Sequence, residues 1–175
     1  MYENDFCEYA VKRKIEGAYL VKTIICAIVL VLIAVAAFVF LVPFSGAIAL
    51  LIIALDVALM WYLSRYTSIE YEYTLSGEYM DFAAIYSMQY RKELLSVELK
   101  KNAKKVMPFD GDFGGFNVNR VFDFRSSKAA AHPYILVFDD EGGVKAVVFD
   151  ATKKIVENMF HQVPSLVERS ASLPE

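Results

Sequence analysis

Two apolar runs, residues 23–42 and 47–64, are separated only by Pro43, Phe44, Ser45 and Gly46, and between them they hold a single charge, Asp56. A helix needs roughly 20 mainly apolar residues to cross a hydrocarbon core about 30 Å thick, and each run reaches or approaches that length. The sequence therefore predicts a helical hairpin that spans a bilayer twice and turns with almost nothing exposed on the far side. A secretory signal peptide is a poor alternative for the first run. Ala34-Val35-Ala36 resembles a cleavage site, but the apolar stretch continues through Phe40, Leu41 and Val42, beyond an ordinary signal core.

Orientation follows from the basic residues. Lys12, Arg13, Lys14 and Lys22 precede the first span, the turn carries no charge, and Arg65 follows the second. Lys and Arg near span ends stay on the cytoplasmic side, so both termini are expected in the cytoplasm of a multi-pass protein of the cell membrane. Tyr19, Trp61, Tyr62 and Tyr66 suit the aromatic belts at the two interfaces. The cysteines, Cys7 and Cys26, fall on opposite sides of the first membrane boundary, which argues against a disulfide or a shared metal. A net charge of −3 argues against nucleic acid as a bulk electrostatic partner.

Asp56 demands a reason, because a carboxylate at the centre of a span costs about 2.5–3.5 kcal/mol. It can serve a proton or ion relay in a transport or assembly complex, or it can be a contact in a homo-oligomer. Ala54 and Ala58 beside it in sequence have the small-xxx-small spacing that permits close helix approach. The assembly contact is the simpler expectation, since transport paths usually need several polar groups.

After residue 65 the periodicity changes. Ile69, Tyr71, Tyr73 and Leu75 alternate with Ser68, Glu70, Glu72 and Thr74, the two-residue repeat of a strand with one buried face. Ser76-Gly77 supplies a turn, and residues 78–86, 91–99, 121–125, 134–138 and 144–149 read as further strands. Residues 100–106 are ambiguous between strand and helical turn. Ile155, Val156, Met159, Phe160 and Val163 recur at helical spacing after Asp150, a suitable cap, and Pro164 ends the pattern. The expectation is an α+β membrane protein: an N-terminal transmembrane hairpin, then a small antiparallel β-barrel or sandwich closed by a C-terminal helix. Its segments are 1–22 (cytoplasmic), 23–42 and 47–64 (spans) around the turn 43–46, 65–170 (cytoplasmic domain, helix at about 151–163) and a tail, 171–175.

This order of elements, with Glu70-Tyr71-Glu72-Tyr73-Thr74-Leu75-Ser76-Gly77 after the hairpin and Val147-Val148-Phe149 before the closing helix, resembles bacterial membrane proteins that carry a pleckstrin-homology-like domain, in particular small two-span members. The resemblance implies a fold and an address and leaves the activity open.

Recognisable chemistry is sparse. The glycine-rich stretch 110–119 begins Asp110-x-Asp112 with Gly115 at the sixth place, but Val121 stands where a calcium loop needs Glu, and no Lys-Ser/Thr follows as in a phosphate loop. It is either a decorating loop or a site. His132 and His161 fall in no hydrolase or metalloprotease motif, so no enzyme, metal or cofactor is expected. The best contact surface is Lys100, Lys101, Lys104 and Lys105, joined by Arg91 and Lys92, facing anionic lipid headgroups or a membrane or cytoplasmic protein. A non-enzymatic, membrane-anchored binding or scaffolding protein is the function these features favour.

Overall fold

Pro43 has no N–H to donate, so the first apolar helix stops where the sequence places its turn. The computed structural model describes residues 6–14, 16–64, 67–170 and 173–174, and the chain divides into a helical unit, Lys14–Ile69, and a second unit formed by Met1–Arg13 with Glu70–Glu175. Arg65, Tyr66 and the side chain of Tyr19, expected at the span boundaries, lie outside the described residues.

In the helical unit, α1 (Gly17–Leu41) and α2 (Gly46–Ser64) form an antiparallel pair. Phe44 and Ser45 N–H donate to the Leu41 carbonyl at 3.1 and 2.8 Å, closing the turn, and Ala49 N–H donates to Ser45 O at 3.2 Å to start α2. Both helices are long and apolar enough to cross a membrane. Their outer surfaces are exposed Leu, Ile, Val and Phe, while Leu30 and Ala37 of α1 and Ala49 and Asp56 of α2 are buried. Each of these pairs is seven residues apart, the spacing of a narrow coiled-coil seam. The alanines let the two backbones approach.

The second unit is built from two four-stranded sheets. One holds β1 (Phe6–Lys12), β2 (Ile69–Ser76), β3 (Tyr79–Tyr86) and β4 (Tyr90–Glu98) in that order. A short helix, α3 (Leu99–Asn102), leads to the other, where β5 (Ala103–Pro108), β7 (Pro133–Asp140), β8 (Gly143–Asp150) and β6 (Arg120–Asp123) lie side by side. Helix α4 (Lys153–Gln162) packs against β1 and α3.

Several details depart from the expected pattern. The segment 1–22 is not uniform: β1 pairs antiparallel with β2 from Phe6↔Ser76 to Lys12↔Glu70, burying Cys7 and Val11. The domain thus takes its first strand from before the helices. The sheets are not wholly antiparallel either, since β6 runs parallel to β8. Residues 100–106 split into the end of α3 and the start of β5, so both readings of that stretch hold in part. The cap of α4 is Thr152, whose hydroxyl accepts from Ile155 N–H at 3.4 Å, whereas Asp150 Oδ2 accepts from Ser126 N–H at 2.8 Å. Asp150 still belongs to β8, two residues before the cap position.

The core lies between the sheets. Tyr73 and Phe82 from the first meet Phe149 from the second with ring centroids 5.6–5.7 Å apart in edge-to-face pairs. Tyr73 is 0% exposed, and its hydroxyl donates to Phe124 O at 2.5 Å, which satisfies a polar group that burial would otherwise penalise. Burial pushes its phenol pKa well above the ordinary tyrosine value, so the group remains a donor. From β1 and α4, Cys7, Ile155, Val156 and Met159 are buried as well. The edge of β5 is covered by the tail: Val106 N–H donates to Leu166 O and Glu168 N–H to Val106 O, each at 2.8 Å.

Two stability predictions follow from this packing. Tyr73→Phe leaves the Phe124 carbonyl unpaired in the core and is expected to cost about 1–2 kcal/mol, read as a lowered melting temperature of the detergent-solubilised chain. Burial alone would raise the Asp123 pKa, but hydrogen bonds from Arg125 outweigh it and hold the carboxyl below the ordinary range. A depressed folded-state pKa contributes stability above the unfolded value of about 3.9, and this is lost as pH falls through the folded value. Arg125→Gln is therefore expected to flatten the loss of melting temperature on acidification from about pH 6 to about pH 3.

Candidate functional site

The glycine-rich stretch 110–119 is used for packing. Residues of β7 and β8 are apolar on both faces; Leu136 and Val147 sit in the core, while Ile135, Val137, Ala146 and Val148 form a second cluster with Met107. Phe109, Phe113, Phe116 and Val118 of the loop cover that cluster. Gly114 allows it: its φ is +63°, and a Cβ there would come within 2.9 Å of Met107 Cε. Arg125 adds a guanidinium 5.6 Å from the Phe109 ring centroid. The loop is a lid on the outer face of the second sheet.

Asp56 is 8% exposed and lies in the α1–α2 seam, whereas Ala54 and Ala58, two residues to either side, are exposed. The three residues do not share a face, because positions two apart on a helix point apart. Closer to the other end of the hairpin, a cleft of about 370 Å³ lies between the helices, walled by Cys26, Ala27, Leu30, Met60 and Leu63 with Lys22 at its edge. Its Ser64 and Thr67 hydroxyls already donate to the Trp61 and Ser64 carbonyls. That lining offers no acid–base pair.

The six basic residues expected to form one surface are divided by β4. At about 3.3 Å per residue this strand separates Tyr90 from Glu98 by roughly 25 Å. Arg91 and Lys92 lie at its start, and Lys100 and Lys101 follow its end on α3. Acids also take up much of the charge. Lys100 pairs with Glu78 at 2.6 Å, Lys104 with Asp139 at 2.9 Å and Lys105 with Glu168 at 2.7 Å. Arg91 reaches across β3 to Glu72 at 2.6 Å, which explains why Glu72, expected on a solvated face, is only 8% exposed. Among the described residues Lys92 and Lys101 have no ion pair.

Strand directions give the first sheet two distinct ends. Lys12 stands opposite Glu70, so the chain leaves β1 for the helices and returns to β2 at one end. Because β3 runs back along β2, the β3–β4 tip, Ser87-Met88-Gln89, lies at that same end, and Lys100 lies at the other. The tip is unusual in two ways. Met88 is 74% exposed and Tyr90 63%, with the Tyr86 and Tyr90 rings 6.2 Å apart beneath the turn. Ser87 and Met88 also have positive φ, +49° and +56°, and Gln89 N–H donates to Tyr86 O at 3.1 Å. This is the turn geometry that suits a hairpin, normally built from Asn-Gly, with residues that resist it. No sequence rule singles out Ser-Met as such a turn, so sequence reasoning misses this tip. Replacing the pair by Asn-Gly (Ser87→Asn with Met88→Gly) is expected to stabilise the chain by about 1–2 kcal/mol, read as a raised melting temperature.

The profile of the bacterial PH-like domain family (DUF6106) matches residues 3–169, which takes in β1, both helices, both sheets and α4. No curated protein and no solved structure matches the chain. The family match runs through β1 and the helical hairpin together with the sheets, as the strand pairing requires, and the chain belongs to the bacterial PH-like domain family.

Proposed function

We propose that this is a membrane-anchored, non-catalytic protein whose PH-like domain is held at the cytoplasmic face of the cell membrane as a binding or scaffolding module. The observation that carries this reading is the pairing of β1 with β2, which brackets the two apolar helices between neighbouring strands. Both flanks of the hairpin then belong to one folded sheet, so they lie on one side of the bilayer. Lys12, Arg13, Lys14 and Lys22 make that side cytoplasmic. In sequence, four residues separate β1 from α1 and four separate α2 from β2.

A binding role is favoured over catalysis by how the polar groups are spent. The loop at 110–119 covers apolar surface, Asp139, Asp140 and Asp123 are held in ion pairs, and the Tyr73 hydroxyl serves the core. The seam position of Asp56 suits a contact within the hairpin.

Carbonate extraction and protease protection test the reading together. The chain is expected to stay in the carbonate-washed membrane pellet. Protease is expected to leave the domain intact when added to spheroplasts and to remove it from inverted vesicles. A carbonate-soluble chain overturns the anchor, and cleavage of the domain in intact spheroplasts overturns its orientation.

A further inference from the structure

The β3–β4 tip combines three properties that bear on what it faces. Its turn is formed by two non-glycine residues at positive φ, one of them the most exposed methionine described. Strain of this kind persists where a residue is kept for something other than the turn itself. A large apolar side chain is thus presented to the surroundings, at a position where glycine would be cheaper and asparagine more soluble.

The second property is the order of chemistry along the hairpin. Met88 is at the apex, Tyr86 and Tyr90 stand as a ring pair just behind it, and Lys92 and Arg91 follow. Apolar apex, amphipathic phenol rings and then cations is the sequence of layers met on passing from acyl chains through the interface to phosphates. Arg91 is braced by Glu72, while Lys92 has no ion pair among the described residues. The third property is location. Within the first sheet the tip shares its end with Lys12 and Glu70, from which the chain leaves for the apolar helices and returns.

We infer that the Ser87-Met88-Gln89 tip is an interfacial anchor that inserts Met88 and the Tyr86–Tyr90 pair into the headgroup region of the same bilayer the helices cross. It rests on the membrane reading proposed above and assigns the lipid-facing role to this tip instead of the lysines at 100–105. Its ligand is the surface of an anionic bilayer. With the tip seated, the first sheet is held to the bilayer at a point of its own, and the end of that sheet with Lys100 and Lys101 is directed toward the cytoplasm.

Site-specific depth measurement separates this inference from the reading beneath it. The full chain, with Cys26→Ser to remove the exposed thiol, is reconstituted in phosphatidylcholine–phosphatidylglycerol vesicles. A single environment-sensitive fluorophore is attached through Met88→Cys, through Val31→Cys in mid-α1, or through Lys101→Cys. Tyr90→Cys provides a second tip position in case labelling at 88 disturbs the turn. The inference expects tip labels to lose most of their emission to lipid-borne spin quenchers and to resist aqueous iodide, with the label at 101 behaving oppositely. Iodide-accessible tip labels unaffected by the lipid quencher, with the label at 31 quenched, overturn the anchor and leave the membrane reading standing. Tip labels shielded from both quenchers overturn the lipid assignment in favour of a covering protein. An unquenched label at 31 overturns the membrane reading, and the anchor with it.

Discussion

Seven residues of antiparallel pairing between β1 and β2 hold this architecture together. The two strands are separated in sequence by the whole helical hairpin, so their ladder closes a long loop whose interior is not free to vary: the helices have to leave and return at neighbouring points. An antiparallel helix pair with a short turn meets that requirement without further linkers. Cys7 and Val11 make the ladder part of the core, and α4 packs on β1. Removing the strand would therefore expose a sheet edge and part of the core as well as untie the hairpin.

The second sheet solves a different problem. Its central strands are apolar on both faces, and a strand of that kind needs a cover on each. The first sheet supplies one through Tyr73, Phe82 and their partners. The glycine-rich loop supplies the other through Phe109, Phe113, Phe116 and Val118. A stretch with the outline of a ligand loop is thus occupied by packing, and Gly114 is explained by its closeness to Met107.

Charge is arranged with similar economy. Lys100, Lys104 and Lys105 meet Glu78, Asp139 and Glu168, and Arg91 meets Glu72. Four of the six cations in the expected strip thus meet acids distant in sequence, and such exposed pairs contribute little to stability. The one end of the first sheet where apolar exposure, strain and a lysine without an ion pair coincide is the β3–β4 tip.

The sequence by itself determined the helices, most strands and the closing helix. Those elements are written in local periodicity: long apolar runs for α1 and α2, alternation at 69–75, helical spacing at 155–163. The family pattern was legible for the same reason. β1 is the exception: Cys7, Tyr9 and Val11 alternate, but the run is short and stands apart from its sheet, so local pattern alone does not mark it as a strand. Only the tertiary structure decided what these elements meet. Pairing β1 with β2, setting β6 parallel to β8, burying Glu72 beneath Arg91, folding the loop onto Met107 and turning Asp56 into the seam all join residues far apart in the chain. Local patterns specify which face of an element is apolar. They do not specify its neighbour, because that choice rests on strand order and on side chains that approach only after the sheets have formed.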